Sequence, residues 1–242
     1  MRTELSPNER AKYLCAEKAA EFVSSGMKVG LGTGSTAYWL LKHLGRKVRD
    51  GGLNIMGVPT SLKTSELAQS EGIPICSLDE AGWLDLTIDG ADEISPDFNL
   101  IKGGGGAHLR EKIVAMASDK MIVIADSSKK VAELGSFPLP VEVIRYGSES
   151  TKSQVVKYLK QNGYKDPQVM FRESKGKRFI TDEGNFILDL QLNFISDECT
   201  LSNDLNLIPG VVENGLFVNI CTCVVVADEN GQVTVDWKKN ED

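Results

Sequence analysis

Short apolar runs alternate with segments that carry helix signals through the first half of this 242-residue chain. The runs at 27–32, 84–89 and 121–125 have the length of strands, and mostly apolar strands are typical of a parallel sheet that is covered on both faces. Ser6-Pro7 marks a helix start before the first run, and another predicted helix follows the first run and ends near Leu44. This alternation predicts an α/β domain with a mostly parallel sheet.

The pattern changes near Leu134. Beyond a predicted linker at 137–140, the order is strand, helix, strand, hairpin and helix, with the hairpin turn at 182–185. This order indicates a small α+β unit, and Pro209 marks its exit. We therefore predict a main catalytic domain over 1–134, a small domain over 135–208, and C-terminal strands over 209–242 that return to the main domain.

Composition excludes several classes of protein. The net charge of −7 without a basic stripe argues against nucleic acid as a partner, so any anion site must be local. No apolar run approaches membrane-spanning length, and the N-terminus lacks a signal-peptide core. The five scattered cysteines fit reduced thiols, and the pair Cys221 and Cys223 is interpreted as buried small side chains rather than a zinc site. We expect a cytoplasmic protein.

A glycine-rich turn joins the first predicted strand to the next helix. Its residues are Thr33, Gly34, Ser35 and Thr36. Free N–H groups at a helix start, together with small hydroxyl side chains, favour binding of a phosphate. The turn also resembles a dinucleotide fingerprint, but its sixth position is Ser35, and Asp50 precedes the second strand instead of ending it, so NAD is disfavoured. A simple strand-to-helix turn capped by Ser35 is the structural alternative.

Three carboxylates follow the strand that ends at Asp89. Ligands of open α/β sheets bind beyond the carboxyl ends of the strands, where Asp89, Asp92 and Glu93 are placed. Gly90 and Ala91 keep the backbone between them accessible. A turn capped by aspartate accounts for one of these carboxylates but not for all three, and a magnesium site is a further option.

Lys102 and the following glycines predict a loop that wraps a ligand. Gly103, Gly104 and Gly105 offer backbone amides, and Lys102 can stabilise a developing oxyanion, although flexibility alone also explains the glycines. Glu111 lies in the first turn of the next predicted helix, where a helix N-terminus favours an acidic residue by about 0.3–1 kcal/mol. His108 is the default acid–base candidate by residue type.

Lys129 and His43 are the two remaining side chains considered as candidates. Lys129 follows the strand at 121–125 and can reach a phosphate, with a solvated loop lysine as its alternative. His43 is predicted to lie on a helix surface. The polar clusters together indicate acid–base chemistry on a small phosphorylated molecule.

An ordered set of motifs resembles the A type of ribose-5-phosphate isomerase over nearly the whole chain. The motifs are GLGTGSTA at 30–37, DGADE at 89–93, KGGGGA at 102–107, REK at 110–112, IADSSK at 124–129, FPLPVEV at 137–143 and IPGVVENGLF at 208–217. The chain departs from the usual pattern at Gly106, where many relatives have alanine after three glycines. That departure leaves the spacing of Lys102 and Glu111 unchanged.

The resemblance implies a Rossmann-like domain, a smaller ferredoxin-like domain and a homodimer or homotetramer. It implies interconversion of ribose 5-phosphate and ribulose 5-phosphate without metal or organic cofactor. Glu111 would move the proton between C1 and C2, Lys102 would stabilise the oxyanion, and Asp89 and Asp92 would handle hydroxyl protons and ring opening. The implied substrate-binding residues are Lys12, Thr33–Thr36, Asp89–Asp92, Lys102–Gly105 and Lys129.

The residues also allow other functions. A related scaffold could serve an amino-sugar-phosphate isomerase or a CoA transferase, and the latter would use a covalent glutamate. A non-catalytic sugar-phosphate sensor is the alternative from another class, although the sequence leaves no space for a DNA-binding segment.

Overall fold

The computed structural model describes residues 5–239, which form two compact units. The first unit contains the chain up to Ala91, Arg110–Lys130 and the chain from Asn219 onward; the second contains Asp92–Leu109 and Val131–Val218. The division predicted from the sequence, at residues 134 and 208, stays a prediction. Within residues 5–239 no helix has the length and apolar character that a membrane span requires.

Seven α-helices and fifteen strands occur in the described part of the chain. The helices are α1 (Pro7–Ala19), α2 (Ser35–Gly51), α3 (Leu62–Ser70), α4 (Leu78–Ala81), α5 (His108–Met116), α6 (Ser148–Gln161) and α7 (Glu198–Asn206). The strands are β1 (Lys28–Leu31), β2 (Met56–Pro59), β3 (Leu86–Asp89), β4 (Glu93–Ile94), β5 (Leu100–Ile101), β6 (Met121–Asp126), β7 (Leu139–Val143), β8 (Gln168–Phe171), β9 (Glu173–Ser174), β10 (Lys177–Arg178), β11 (Phe186–Gln191), β12 (Val211–Asn214), β13 (Leu216–Phe217), β14 (Cys223–Ala227) and β15 (Val233–Trp237).

The first unit is built on a six-stranded sheet in the order β15-β14-β6-β3-β1-β2. All neighbouring strands are parallel except the edge pair β14 and β15. Every residue of β3, β6 and β14 is buried, which is expected for strands covered on both faces. The α/β class predicted from the alternating pattern is therefore confirmed. Because β1 lies between β2 and β3, the strand order reverses at β1, and α/β sheets bind ligands at such points.

Local signals explain where the first helices begin and end. Ser6 caps α1 by accepting a hydrogen bond from the N–H of Glu9, and Pro7 occupies the first helical position. Helix α2 ends at Gly51, with Gly52 at the C-cap position at φ +67, and not near Leu44 as predicted. Gly45 is a site of close approach, because a Cβ there would lie 2.6 Å from the Cβ of Glu71.

His43 is buried, with 4% of its surface exposed, so its predicted place on a helix surface is wrong. Helix α1 covers this face of α2, and the ring of Tyr13 lies edge-on to the imidazole at 4.5 Å between centroids. Nε2 of His43 has no hydrogen-bond partner within residues 5–239. Burial lowers the pKa of His43 below its ordinary value.

The second unit contains a four-stranded antiparallel sheet in the order β12-β7-β11-β8. The chain order β7-α6-β8-β11-α7-β12, interrupted by the hairpin β9–β10, is the ferredoxin-like arrangement and confirms the predicted small α+β unit. Its core is formed by aliphatic side chains of the sheet and both helices: Val141, Val143, Val155, Leu159, Leu188, Leu190, Leu201 and Leu205. A small three-stranded sheet, β13-β5-β4, completes the unit.

Two local predictions in the second unit need correction. Leu139 and Pro140, predicted as linker, belong to β7, where proline is tolerated because β12 pairs only with residues 141–143. The hairpin β9–β10 turns at Lys175 and Gly176, not at 182–185. Both turn residues have positive φ, +53 and +72, as a two-residue hairpin turn of type I′ requires. Residues 182–185 form a separate turn that leads into β11.

Candidate active site

The turn between β1 and α2 presents an open helix start. Gly34 occupies the N-cap position with φ +117, and no side chain caps the helix, so the alternative of a turn capped by Ser35 is wrong. Gly34 and Ser35 are exposed, whereas Thr33 and Thr36 are half-buried. The uncapped N–H groups of a 17-residue helix favour a bound anion.

Thr33 is tied to three hydroxyl side chains that the sequence analysis missed. Its Oγ1 lies 2.8 Å from the hydroxyl of Thr60, 2.9 Å from that of Ser61 and 3.0 Å from that of Thr64. Thr60 and Ser61 directly follow β2 at the carboxyl edge of the sheet. Their position at a strand end was the signal that could have identified them.

Asp89 is fully buried at the end of β3. Its Oδ1 accepts hydrogen bonds from the backbone N–H groups of Thr33, at 3.0 Å, and Gly90, at 2.7 Å. A Cβ at Gly32 would lie 2.2 Å from the same oxygen, so glycine is required where β1 passes this carboxylate. The structure thus joins the predicted turn and the predicted carboxylate within the first unit.

The other two clustered carboxylates belong to the second unit and have different surroundings. Asp92 accepts a hydrogen bond at Oδ2 from the N–H of Gly104, at 2.7 Å. Glu93 is buried and accepts from the backbone N–H groups of Gly135 and Phe137, at 2.7 and 2.6 Å. Backbone amides therefore account for the burial of Glu93, whereas Asp92 contacts the glycine loop.

Lys102 is buried immediately before the glycine loop, with 2% of its surface exposed. Its backbone N–H donates to the carbonyl of Gly215 at 2.9 Å, and its Nζ lies 5.4 Å from the centre of the Phe217 ring. The fourth glycine of the loop, Gly106, has φ +77, and a Cβ there would lie 2.5 Å from the Phe179 ring. This chain therefore requires glycine at position 106.

Glu111 and His108 both lie in the first turn of α5, and both are buried. The His108 ring fills the space beside Gly103, because a Cβ on that glycine would approach Nδ1 to 2.8 Å. Glu111 is only 4% exposed. Favourable interaction with a helix start needs no burial, and burial of a carboxylate is unfavourable, so helix capping does not explain the position of Glu111.

Lys12 and Lys129 are the two predicted site lysines that belong to the first unit. Nζ of Lys12 pairs with Oε1 of Glu9 at 2.9 Å, and the other oxygen of Glu9 accepts from the indole N–H of Trp39. The hydrogen bonds from Lys12 and Trp39 hold the pKa of Glu9 below its ordinary value. Lys129 is half-buried in a single 3-10 turn at Ser127–Lys129 that directly follows β6.

Cys221 and Cys223 are both buried, as predicted. Within residues 5–239, no three His, Cys, Asp or Glu side chains form a group that could hold a metal ion.

A mostly parallel sheet with polar residues at its carboxyl edge is the arrangement of α/β enzymes that bind small molecules there. Within this class, the chain belongs to the ribose 5-phosphate isomerase A family: residues 56–231 match the family described as ribose 5-phosphate isomerase A (phosphoriboisomerase A). It is therefore an aldose–ketose isomerase that interconverts ribose 5-phosphate and ribulose 5-phosphate.

Two curated relatives are similar to this chain over nearly its whole length. Ribose-5-phosphate isomerase A of Cereibacter sphaeroides (strain ATCC 17025 / ATH 2.4.3) is 55% identical over 235 residues, covering 97% of this chain and 94% of the relative. Its counterpart in Ruegeria sp. (strain TM1040) is 54% identical, covering 97% and 90%.

Two solved structures show the same fold over nearly the whole chain. Ribose 5-phosphate isomerase from Plasmodium falciparum has a TM-score of 0.90 at 36% identity, covering 95% of this chain and 98% of that one. A D-ribose-5-phosphate isomerase in complex with phospho-erythronic acid has a TM-score of 0.88 at 38% identity, covering 95% and 99%.

Proposed function

We propose that Glu111 is the base that carries the proton between C2 and C1 of the substrate. Conversion of an aldose to a ketose removes the C2 proton and returns it at C1 through an enediolate. A carboxylate suits both steps, because a single oxygen can serve two neighbouring carbons.

The observation that carries this proposal is the burial of Glu111 in the first turn of α5. Burial of a carboxylate is unfavourable, and an acidic residue at a helix start does not need it. Glu111 also follows the lysine and glycine loop in the ordered motifs that resemble the family.

The proposed oxyanion stabilisers are Lys102 and the amides of Gly103–Gly105. A carbon acid is far weaker than a carboxylic acid, so the charge on the enediolate oxygen must be stabilised as the proton leaves. One well-placed donor contributes roughly 3–4 kcal/mol to such a step. A buried ammonium group at Lys102 is suited to this task, because electrostatic interactions are stronger away from water. No step of the proposal requires a metal or an organic cofactor.

The proposed phosphate site is the open start of α2 at Thr33–Thr36, with Lys129 of the IADSSK motif and Lys12 of α1 as the proposed cations. Asp89 and Asp92 are proposed to handle hydroxyl protons and ring opening, with Gly90 and Ala91 as contacts of the sugar. Phospho-erythronic acid, bound by one structural relative, combines a phosphate with a carboxylate. Its carboxylate places negative charge on oxygen in a molecule that also carries a phosphate, as the enediolate of the substrate does, and this supports a site for both groups.

Replacing Glu111 with glutamine tests the proposal. Glu111→Gln keeps the size of the side chain and removes the base, so we expect kcat to fall at least about 100-fold with little change in KM. The matched control is Glu142→Gln, which alters another buried glutamate and should leave kcat within a few-fold of the native value. Near-native turnover by Glu111→Gln would exclude this residue as the base.

We also propose that the enzyme is a cytoplasmic homodimer or homotetramer. The unpaired cysteines support a reducing compartment, and the family resemblance supports the assembly. Light scattering on the purified protein would give the mass of the assembly, and a monomer at micromolar concentration would contradict the proposal.

A further inference from the structure

Arg172 contacts the glycine loop directly. It directly follows β8, and its Nη1 donates to the carbonyl of Gly103 at 2.6 Å and to the carbonyl of Gly104 at 3.1 Å. The rest of its guanidinium is held by Asp189 of β11, which accepts from Nε at 2.9 Å and from Nη2. All four residues belong to the second unit.

The Asp189–Arg172 pair is largely buried, and the backbone of Arg172 is hydrogen-bonded through both its N–H and its carbonyl. Only 14% of the Arg172 side chain and 22% of the Asp189 side chain are exposed. The backbone N–H of Arg172 donates to Ile187, and its carbonyl accepts from Phe179. A guanidinium is a planar fork, so two bonds to one carboxylate leave the remaining nitrogen with a fixed direction. In this structure that direction leads to the loop carbonyls.

A hydrogen bond that fixes a backbone carbonyl also fixes the direction of the N–H in the same peptide unit. The peptide unit is planar, and in its trans form the C=O and the following N–H point in opposite directions. Arg172 therefore sets the N–H of Gly104, which donates to Asp92, and the N–H of Gly105 on the exposed part of the loop. A run of glycines left alone would sample many backbone conformations, and these bonds reduce that freedom.

We propose that the Asp189–Arg172 pair positions the glycine loop for isomerisation. Arg172 is a positioning residue: it acts through the carbonyls of Gly103 and Gly104, and the loop amides and the adjacent Lys102 would act on the substrate. The inference rests on the proposed role of this loop in stabilising the oxyanion. It adds residues of the ferredoxin-like part of the chain, distant in sequence, to the determinants of the reaction rate.

Conservative substitutions at both members of the pair test the inference. Arg172→Lys keeps the charge but cannot make both sets of bonds, and Asp189→Asn removes the charge that locks the fork. We expect Arg172→Lys to lower kcat about 10–100-fold with KM changed less than about threefold, because small misplacements of catalytic groups lower kcat by up to about 100-fold. Backbone amide exchange at residues 103–106, followed by mass spectrometry, should become faster in both variants.

Arg178→Lys is the matched control. Arg178 lies over the Phe171 ring and pairs with Glu149, so these contacts lie on β8 and α6 and not on the loop. It should keep native kcat and native exchange at 103–106. Unchanged exchange or unchanged kcat in Arg172→Lys would overturn the inference. An active Glu111→Gln would overturn the proposed base instead, since the exchange experiment does not depend on that residue.

Discussion

At the scale of single residues, the buried charges fall into two groups according to their partners. Glu93 and Glu142 are satisfied by N–H and hydroxyl donors that hold segments of the second unit together. Asp89 is likewise held by amides, but one of them, the N–H of Thr33, belongs to the glycine-rich turn beside an open helix start, and the other is the N–H of the adjacent Gly90. Buried carboxylates in this chain therefore have different surroundings, and the donor on Thr33 places Asp89 beside the proposed phosphate site.

Lys129 provides a prediction at this scale. If its ammonium binds the substrate phosphate equally in the ground state and the transition state, Lys129→Ala should raise KM about tenfold or more and leave kcat near the native value. Steady-state kinetics with ribose 5-phosphate would measure this. Lys130→Ala is the matched control, since the neighbouring Lys130 pairs with Asp236 at the surface. A fall in kcat at constant KM would contradict the phosphate assignment.

At the scale of elements, glycines mark the places where two elements approach most closely. Gly32 permits β1 to pass beside the end of β3, because a Cβ would lie 2.5 Å from the Cα of Asp89. Gly45 performs the same function between α2 and Glu71. Gly45 follows the predicted helix end at Leu44, but it lies inside α2 and permits the close approach of Glu71. The end of α2 was therefore predicted too early.

Gly32→Ala should lower the free energy of unfolding by about 1–3 kcal/mol, the usual effect of overpacking, and should reduce activity by displacing Asp89. Gly51→Ala is the control: Gly51 lies in the last turn of α2 with no atom within 4 Å of the added Cβ. Alanine is the better helix former, so that variant should be as stable as the native protein or more so. Urea unfolding of both variants distinguishes them, and equal stability of Gly32→Ala and the native protein would refute the close approach.

At the scale of the whole molecule, the class of each unit was predictable, because strand and helix periodicities are local properties of the sequence. The turn at 33–36 and Asp89 could be proposed for the same reason, since each lies at the end of a predicted strand. The choice of Glu111 over His108 came from the family resemblance instead. Arg172 could not be predicted: it lies 69 residues from Gly103, and only the register of β8 on β11 brings it to the loop. Pro140 was wrongly predicted as linker. It can occupy β7 because the pairing of β7 with β12 begins only after it.

The pH dependence of stability follows from His43. Its pKa is lowered in the folded state by burial, so the unfolded chain binds the proton more readily. The stabilising contribution is complete above about pH 6.5, the ordinary pKa, and is lost as pH falls from there toward the lowered folded value. The melting temperature should therefore decrease more between pH 7.5 and 5.5 in the native protein than in His43→Leu. Equal decreases would show that His43 does not contribute.

The most direct test of the central claim follows the substrate proton itself. Ribose 5-phosphate incubated with the enzyme in D₂O should lose its C2 proton signal as ribulose 5-phosphate forms. Where the proton on the Glu111 carboxyl exchanges with solvent before its return, the ketose should carry deuterium at C1, and NMR follows both changes. With Glu111→Gln, deuterium incorporation and ketose formation should both fall at least about 100-fold, while the Glu142→Gln control retains them. Incorporation at the native rate by Glu111→Gln would contradict the account, because another group would then be moving the proton.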